Sequence, residues 1–179
     1  MGDKIVADTC VFIESIFGAE GNDSEIFFAS LEHNDARLVF SREIIGELMY
    51  ILKKKCNDFS LSEEETKEVL DNITAMFQLG KSVNTKFMRV KVPRVKDPED
   101  QMFVIAAYAA DASHLVTLDK KSGMLDLKHV PFICCTPGEY TNNNDADYLL
   151  KVLHNTEEDY RTGSMVFLCF MKLLSVIHL

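Results

Sequence analysis

Short apolar runs alternating with amphipathic stretches predict an α/β fold, a three-layer α/β/α sandwich around a central, mostly parallel sheet. Three observations carry this. The apolar runs at Lys4-Ile5-Val6-Ala7, Leu38-Val39-Phe40, Leu115-Val116-Thr117 and Pro131-Phe132-Ile133-Cys134-Cys135 have the length of buried strands. The segments between them place apolar residues at helical spacing. Hydrophobic residues make up 47% of 179, enough for one ordinary domain with a sizeable core.

The first run ends in Asp8-Thr9. A polar, glycine-containing stretch over 18–24 follows, and residues 24–32 place Ile26, Phe27 and Leu31 on one helical face. After the second run, Ser41 N-caps a helix with Glu43 in its first turn. Ile44, Leu48, Ile51 and Leu52 form its apolar stripe, which Ile45 and Met49 widen. Glu47 lies beside that stripe, an unusual place for an acid if the flank is buried. Lys53-Lys54-Lys55 suits the negative end of the helix. Ser62 and Glu65 make a capping box for the next helix. Its stripe is Val69, Ile73, Met76 and Phe77, and Gly80 is its stop. Residues 87–95 alternate loosely and read as a strand or an extended connection.

Asp97 as N-cap and Pro98 as first helical residue open a fourth helix, which puts Asp100 in the first turn. Ala106, Ala107, Ala109 and Ala110 make that helix slim enough to lie close on a sheet. Beyond Thr141 the texture changes. Asn142-Asn143-Asn144 is a polar break, and 165–179 is almost wholly apolar apart from Lys172. That stretch falls short of the roughly 20 residues that cross a bilayer. It is expected to pack on the domain or on a second subunit.

The net charge of −9 argues against a simple electrostatic binder of nucleic acid. It leaves room for a nucleic-acid enzyme, because carboxylates that hold divalent cations add to the negative count. The start shows neither the basic nor the apolar region of a signal peptide. The five cysteines include no Cys-x-x-Cys pair. Both point to free thiols in a reducing cytoplasm. The histidines show no metal-ligand spacing.

The candidate chemistry lies in Asp8, Glu47, Asp100 and Asp119. Asp8 and Asp119 follow strands, at the edge where parallel α/β sheets bind ligands. Glu47 and Asp100 sit on helices able to reach that edge. Two unit charges about 4 Å apart repel by about 4 kcal/mol at an effective dielectric near 20, so such a set protonates or binds a cation. Oxygen donors select Mg²⁺ or Mn²⁺. Such an ion polarises a phosphodiester and activates water, so hydrolysis needs no protein nucleophile. Each acid also has a plain structural role open to it. Asp8 and Asp119 could be turn residues, Asp100 a complement to the helix dipole, and Glu47 a solvated flank residue.

In sequence order, Ile5-Val6-Ala7-Asp8-Thr9, Phe40-Ser41-Arg42-Glu43-Ile44-Ile45-Gly46-Glu47-Leu48, Lys96-Asp97-Pro98-Glu99-Asp100, Leu115-Val116-Thr117-Leu118-Asp119 and Thr136-Pro137-Gly138-Glu139-Tyr140 resemble the PIN domain family, its bacterial toxin subfamily in particular. The resemblance covers about 3–141. It implies a PIN-like nuclease domain over 1–141 and leaves 142–179 as a helical C-terminal extension. It further implies an Mg²⁺- or Mn²⁺-dependent endoribonuclease, often the toxin of a toxin–antitoxin pair and often a homo-oligomer. RNA would be the substrate and an antitoxin protein a partner. Asp8, Glu47, Asp100 and Asp119 match the family's acids. Thr9 and Thr117 match hydroxyls that orient carboxylates or bound water from outside the ligand set. Cys10 departs from the family's common Asn, and Lys121 from a common acid. Those departures support an alternative, a catalytically weak or inactive PIN-like interaction domain. A metal-dependent phosphatase or DNA nuclease on a similar sheet is a third reading.

Overall fold

A computed structural model describes residues 2–33, 35–86 and 88–142. β1 (Lys4–Ala7) leads into α1 (Thr9–Phe17) and α2 (Asp23–His33). β2 (Arg37–Ser41) leads into α3 (Arg42–Asp58) and α4 (Glu63–Leu79). β3 (Lys81–Val83) is followed by an irregular segment and α5 (Gln101–Ala110). β4 (His114–Val116), β5 (Ile133–Cys135) and α6 (Pro137–Asn142) complete the described chain.

The strands form one sheet in the order β3-β2-β1-β4-β5, and every pairing is parallel. This is the predicted α/β sandwich. The order reverses at β1, which lies between β2 and β4 with Ile5 opposite both Leu38 and His114. The carboxyl ends of β1 and β4 therefore share one crevice, the usual ligand edge of such sheets.

Packing follows from the apolar stripes. Ile44, Leu48, Leu52 and Cys56 are buried on α3, and Val69, Ile73 and Met76 on α4. Ala106 and Ala107, both 0% exposed, let α5 lie close on β1, β2 and β4. α1, α2 and α6 pack together through aromatic rings: Phe12–Phe28 centroids are 4.8 Å apart and Phe27–Tyr140 5.2 Å. Each buried phenylalanine contributes about 1.5–3 kcal/mol of burial free energy.

Several local expectations change. α1 was not anticipated: Asp8 ends the strand and also caps a helix whose Val11, Phe12 and Ile16 are buried. α3 runs three residues past Lys55, with Cys56 in its buried stripe. Of the two forms open to 87–95, the described residues 88–95 take the connection; the strand lies earlier, at Lys81-Ser82-Val83 paired with β2, and Phe87 lies outside the described residues. β5 begins at Ile133 rather than Pro131. α5 begins at Gln101, so Pro98 is not its first residue and Asp100 occupies the N-cap position. Asp97 is not that cap; its Oδ1 accepts from Glu99 N–H at 2.9 Å and closes a turn ahead of the helix. Gly80 ends α4 in extended backbone, φ −78°, not in the left-handed region. Glycine is needed there because a Cβ would lie 2.6 Å from Phe40 Cε2. The expected helical extension over 142–179 lies outside the described residues from 143 onward.

Candidate metal centre

Asp8 stands where β1 gives way to α1. Its N–H donates to Val116 O at 2.9 Å, which ties it to the end of β4. Its Oδ1 accepts from Cys10 N–H at 3.3 Å and caps α1. Its Oδ2 accepts from the Thr117 hydroxyl at 2.6 Å and from the Cys10 thiol at 3.0 Å. Thr117 Oγ1 in turn accepts from Asp119 N–H at 2.9 Å, so Asp119, Thr117 and Asp8 form one relay across the crevice. Burial holds the Asp8 carboxyl above its ordinary range, although these donors pull it down; Asp119 adds to the rise.

Asp119 follows β4 in a tight loop. Its Oδ1 accepts from Lys121 N–H at 2.6 Å and Ser122 N–H at 3.2 Å. Gly123, at φ +85°, completes the turn. The turn role open to Asp119 is therefore real, and it anchors the carboxylate in place. The Lys121 side chain is exposed on the same loop.

Glu47 is carried by α3, whose start is set by Ser41 Oγ accepting from Ile44 N–H at 3.3 Å. Burial raises the Glu47 carboxyl. The neighbouring Thr9 hydroxyl favours its charged form, while Asp8 and Glu99 oppose it. Thr9 Oγ1 is buried and makes no hydrogen bond of ordinary geometry, so its pull on Glu47 is that of a nearby dipole. Asp100 is the most perturbed acid: burial first, then Asp8, Asp97, Asp119 and Glu47, push it up to about 7. Its Oδ2 is buried and has no hydrogen-bond partner.

The crevice thus gathers all four predicted acids closely enough for each to act electrostatically on Asp100 or Asp8. Glu99 and Asp97 add charge at its rim, a contribution not anticipated from sequence; the density of acids in Asp97-Pro98-Glu99-Asp100 was the available signal. Cys10 is no nucleophile here. Burial, then the charge of Asp8, push its thiol up to about 12, and Leu118 N–H donates to its sulfur at 3.3 Å. It is a neutral donor to Asp8.

Among the described residues, no three Asp, Glu, His or Cys side chains stand close enough to grip a metal ion together. The donors nonetheless suit a hard divalent cation. They are all oxygen, they repel one another, and Asp100 Oδ2 is a buried acceptor with nothing to accept. Mg²⁺ asks little more, since it keeps several waters and commonly takes one or two carboxylates directly.

A parallel sheet with a carboxylate crevice at its topological switch defines a class of α/β domains that bind ligands at that edge. Within it, a family model described as "PIN domain" matches residues 4–121, and the chain belongs to the PIN domain family. The match takes in Asp8, Glu47, Asp100 and Asp119 and stops before β5 and α6. PIN domains in general are nucleases that use divalent metals, and nuclease-type activity is the general function this membership indicates. Neither curated proteins nor solved structures returned a match. No described helix is long and apolar enough to cross a membrane.

Proposed function

We propose that this chain is an Mg²⁺- or Mn²⁺-dependent endoribonuclease. The observation that carries the reading is the strain in the carboxylate set: Asp8, Glu47 and Asp100 are all held above their ordinary range, and Asp100 Oδ2 is buried without a partner. A cation relieves that strain directly. Asp8, Glu47, Asp100 and Asp119 would hold it. Held there, such an ion would supply polarisation of the phosphodiester and a lowered pKa for an attacking water.

The chain's own residues do the rest. Thr117 fixes the orientation of Asp8 and passes its position to Asp119 through the backbone N–H. Thr9 sits beside Glu47, able to donate to it or to a water. Asp100, with a pKa near 7, can hold a proton in the metal-free state and release it when a cation arrives. The toxin role in a toxin–antitoxin pair is the finer form of this reading, supported by the resemblance alone. A nuclease domain over 1–141 with an appended extension belongs to the same proposal.

One observation favours the second reading, a weak or inactive interaction domain. Asp8 Oδ2 already accepts two bonds, from Thr117 and from Cys10, and so has less capacity left for a cation. Cleavage of a labelled RNA decides between them. The nuclease reading expects cleavage with Mn²⁺ or Mg²⁺, none in chelator, and loss in both Asp8→Asn and Asp119→Asn. Cleavage unchanged in both variants, or absent from the wild type with either ion, would overturn it.

A further inference from the structure

The segment joining β3 to α5 reverses the charge of the molecule. Residues 84–96 carry Lys86, Arg89, Lys91, Arg94 and Lys96 and no acid, in a chain of net charge −9. All five cations are exposed, while Met88, Val92 and Val95 between them are half-buried. Lys96 pairs with Asp126 at 2.9 Å; among the described residues none of the other four forms an ion pair. Cations with no ion-pair partner among the described residues are open to an outside partner.

The described residues of the segment form neither helix nor strand, yet they are fixed at several points. Thr85 Oγ1 donates to Glu43 Oε2 at 3.1 Å, on the first turn of α3. Gln101 accepts from Val95 N–H at 3.1 Å and donates to Pro93 O at 3.0 Å. Lys96 N–H donates to Ser122 O at 2.8 Å. One end is thus pinned to the helix that carries Glu47, and the other to the loop that carries Asp119, directly before Asp100. A cleft of about 430 Å³ runs beside it, walled in part by Met88, Val90, Val92 and Arg94. Val90 is 60% exposed.

We propose that Lys86 and residues 88–96 form a track that holds the phosphate backbone of single-stranded RNA and leads it to the carboxylate centre. The inference rests on the ribonuclease reading and adds where the substrate lies. The cations meet successive phosphates, and the apolar cleft offers a dry wall to the bases. The track solves a problem the centre creates, because its carboxylates repel incoming phosphate. RNA fits better than an acidic protein segment because the track ends at the centre, and a phosphodiester chain supplies the bond the centre acts on.

The test is binding of a labelled single-stranded RNA in chelator, measured against salt. The wild type is compared with Arg89→Gln/Lys91→Gln/Arg94→Gln and with a control of equal charge change on α3, Lys53→Gln/Lys54→Gln/Lys55→Gln. About 0.7 of log–log salt slope is lost per phosphate contact on a single strand. The track variant should therefore lose about 2 from the slope, and on the order of tenfold to a hundredfold in affinity near 0.1 M salt. The control should keep both. Equal loss in the two variants, or none in either, overturns the track. Loss of polyglutamate binding in the track variant, with RNA binding intact, assigns the strip to a protein partner and likewise overturns it. Mn²⁺-dependent cleavage is read separately. Cleavage present with an unchanged slope sinks the track alone; binding with the expected slope change but no cleavage sinks the nuclease reading alone.

Discussion

Replacing Asp100 with Asn tests whether the carboxylates crowd one another. Burial and the charges of Asp8, Asp97, Asp119 and Glu47 carry the Asp100 carboxyl from 3.8 to about 7. At about 1.36 kcal/mol for each tenfold change in proton affinity, that displacement amounts to roughly 4 kcal/mol. Asp100 keeps partial contact with solvent, and screening reduces the figure to on the order of 1–2 kcal/mol. The sign follows from proton counting. Between the unfolded value and about 7, the folded chain keeps a proton that the unfolded chain has lost. Metal-free stability therefore falls as pH rises through that window and levels off above it. An asparagine carries no such penalty. In chelator at pH 8, Asp100→Asn should be the more stable protein by on the order of 1–2 kcal/mol, a rise of about 2–8 °C in Tm for a chain of this size. The advantage should shrink as pH falls to 5.5. Thermal or urea unfolding across pH 5.5–8.5 measures it. A variant less stable than the wild type throughout, or an advantage independent of pH, would refute the crowding argument.

Other consequences are equally direct. Thr117→Val removes the 2.6 Å bond to Asp8 and leaves Asp119 N–H without its acceptor. Urea unfolding at pH 8 should show a loss of roughly 2–4 kcal/mol; a loss within about 0.5 kcal/mol, typical of an indifferent site, would deny the relay any structural weight. Gly80→Ala places a Cβ 2.6 Å from the ring of Phe40, a buried residue that stacks edge-on against Phe77 at 4.8 Å. Denaturation should show a cost of about 1–3 kcal/mol, whereas a stabilised variant would mean that the ring yields freely.

Legibility in the sequence followed the range of the interaction. The Ser41 cap and the Ser62–Glu65 capping box are contacts within three residues, and the structure has both. The apolar stripes of α3 and α4 were readable because one helical face is buried and the other is wet. α1 was not, because its short run follows Asp8 immediately and the acid serves strand end and helix cap together. β3 is Lys81-Ser82-Val83, an edge strand with two exposed residues and no apolar alternation to reveal it. At Asp97-Pro98 the cap rule failed because Asp97 closes its own turn, its Oδ1 accepting from Glu99 N–H, and the helix begins only at Gln101.

The candidate acids could be named from their places beside strand ends and helix starts. Their mutual repulsion was expected once they share a crevice; the contact that brings Asp8 and Asp119 together was not legible, because it is the pairing of β1 with β4. Cys10, as a departure from the family's Asn, was expected to alter the hydrogen bonding beside Asp8, and the structure makes it a neutral donor to that carboxylate.

The central claim is that the crevice takes a divalent cation, and a thermal-shift titration with Mn²⁺ at pH 8 tests it most directly. A ligand that binds only the folded chain adds about 2.7 kcal/mol at a hundred times its Kd. The wild type should rise in Tm with Mn²⁺ by several degrees, and Asp119→Asn should rise far less. No rise in the wild type, or the same rise in both proteins, would contradict the account.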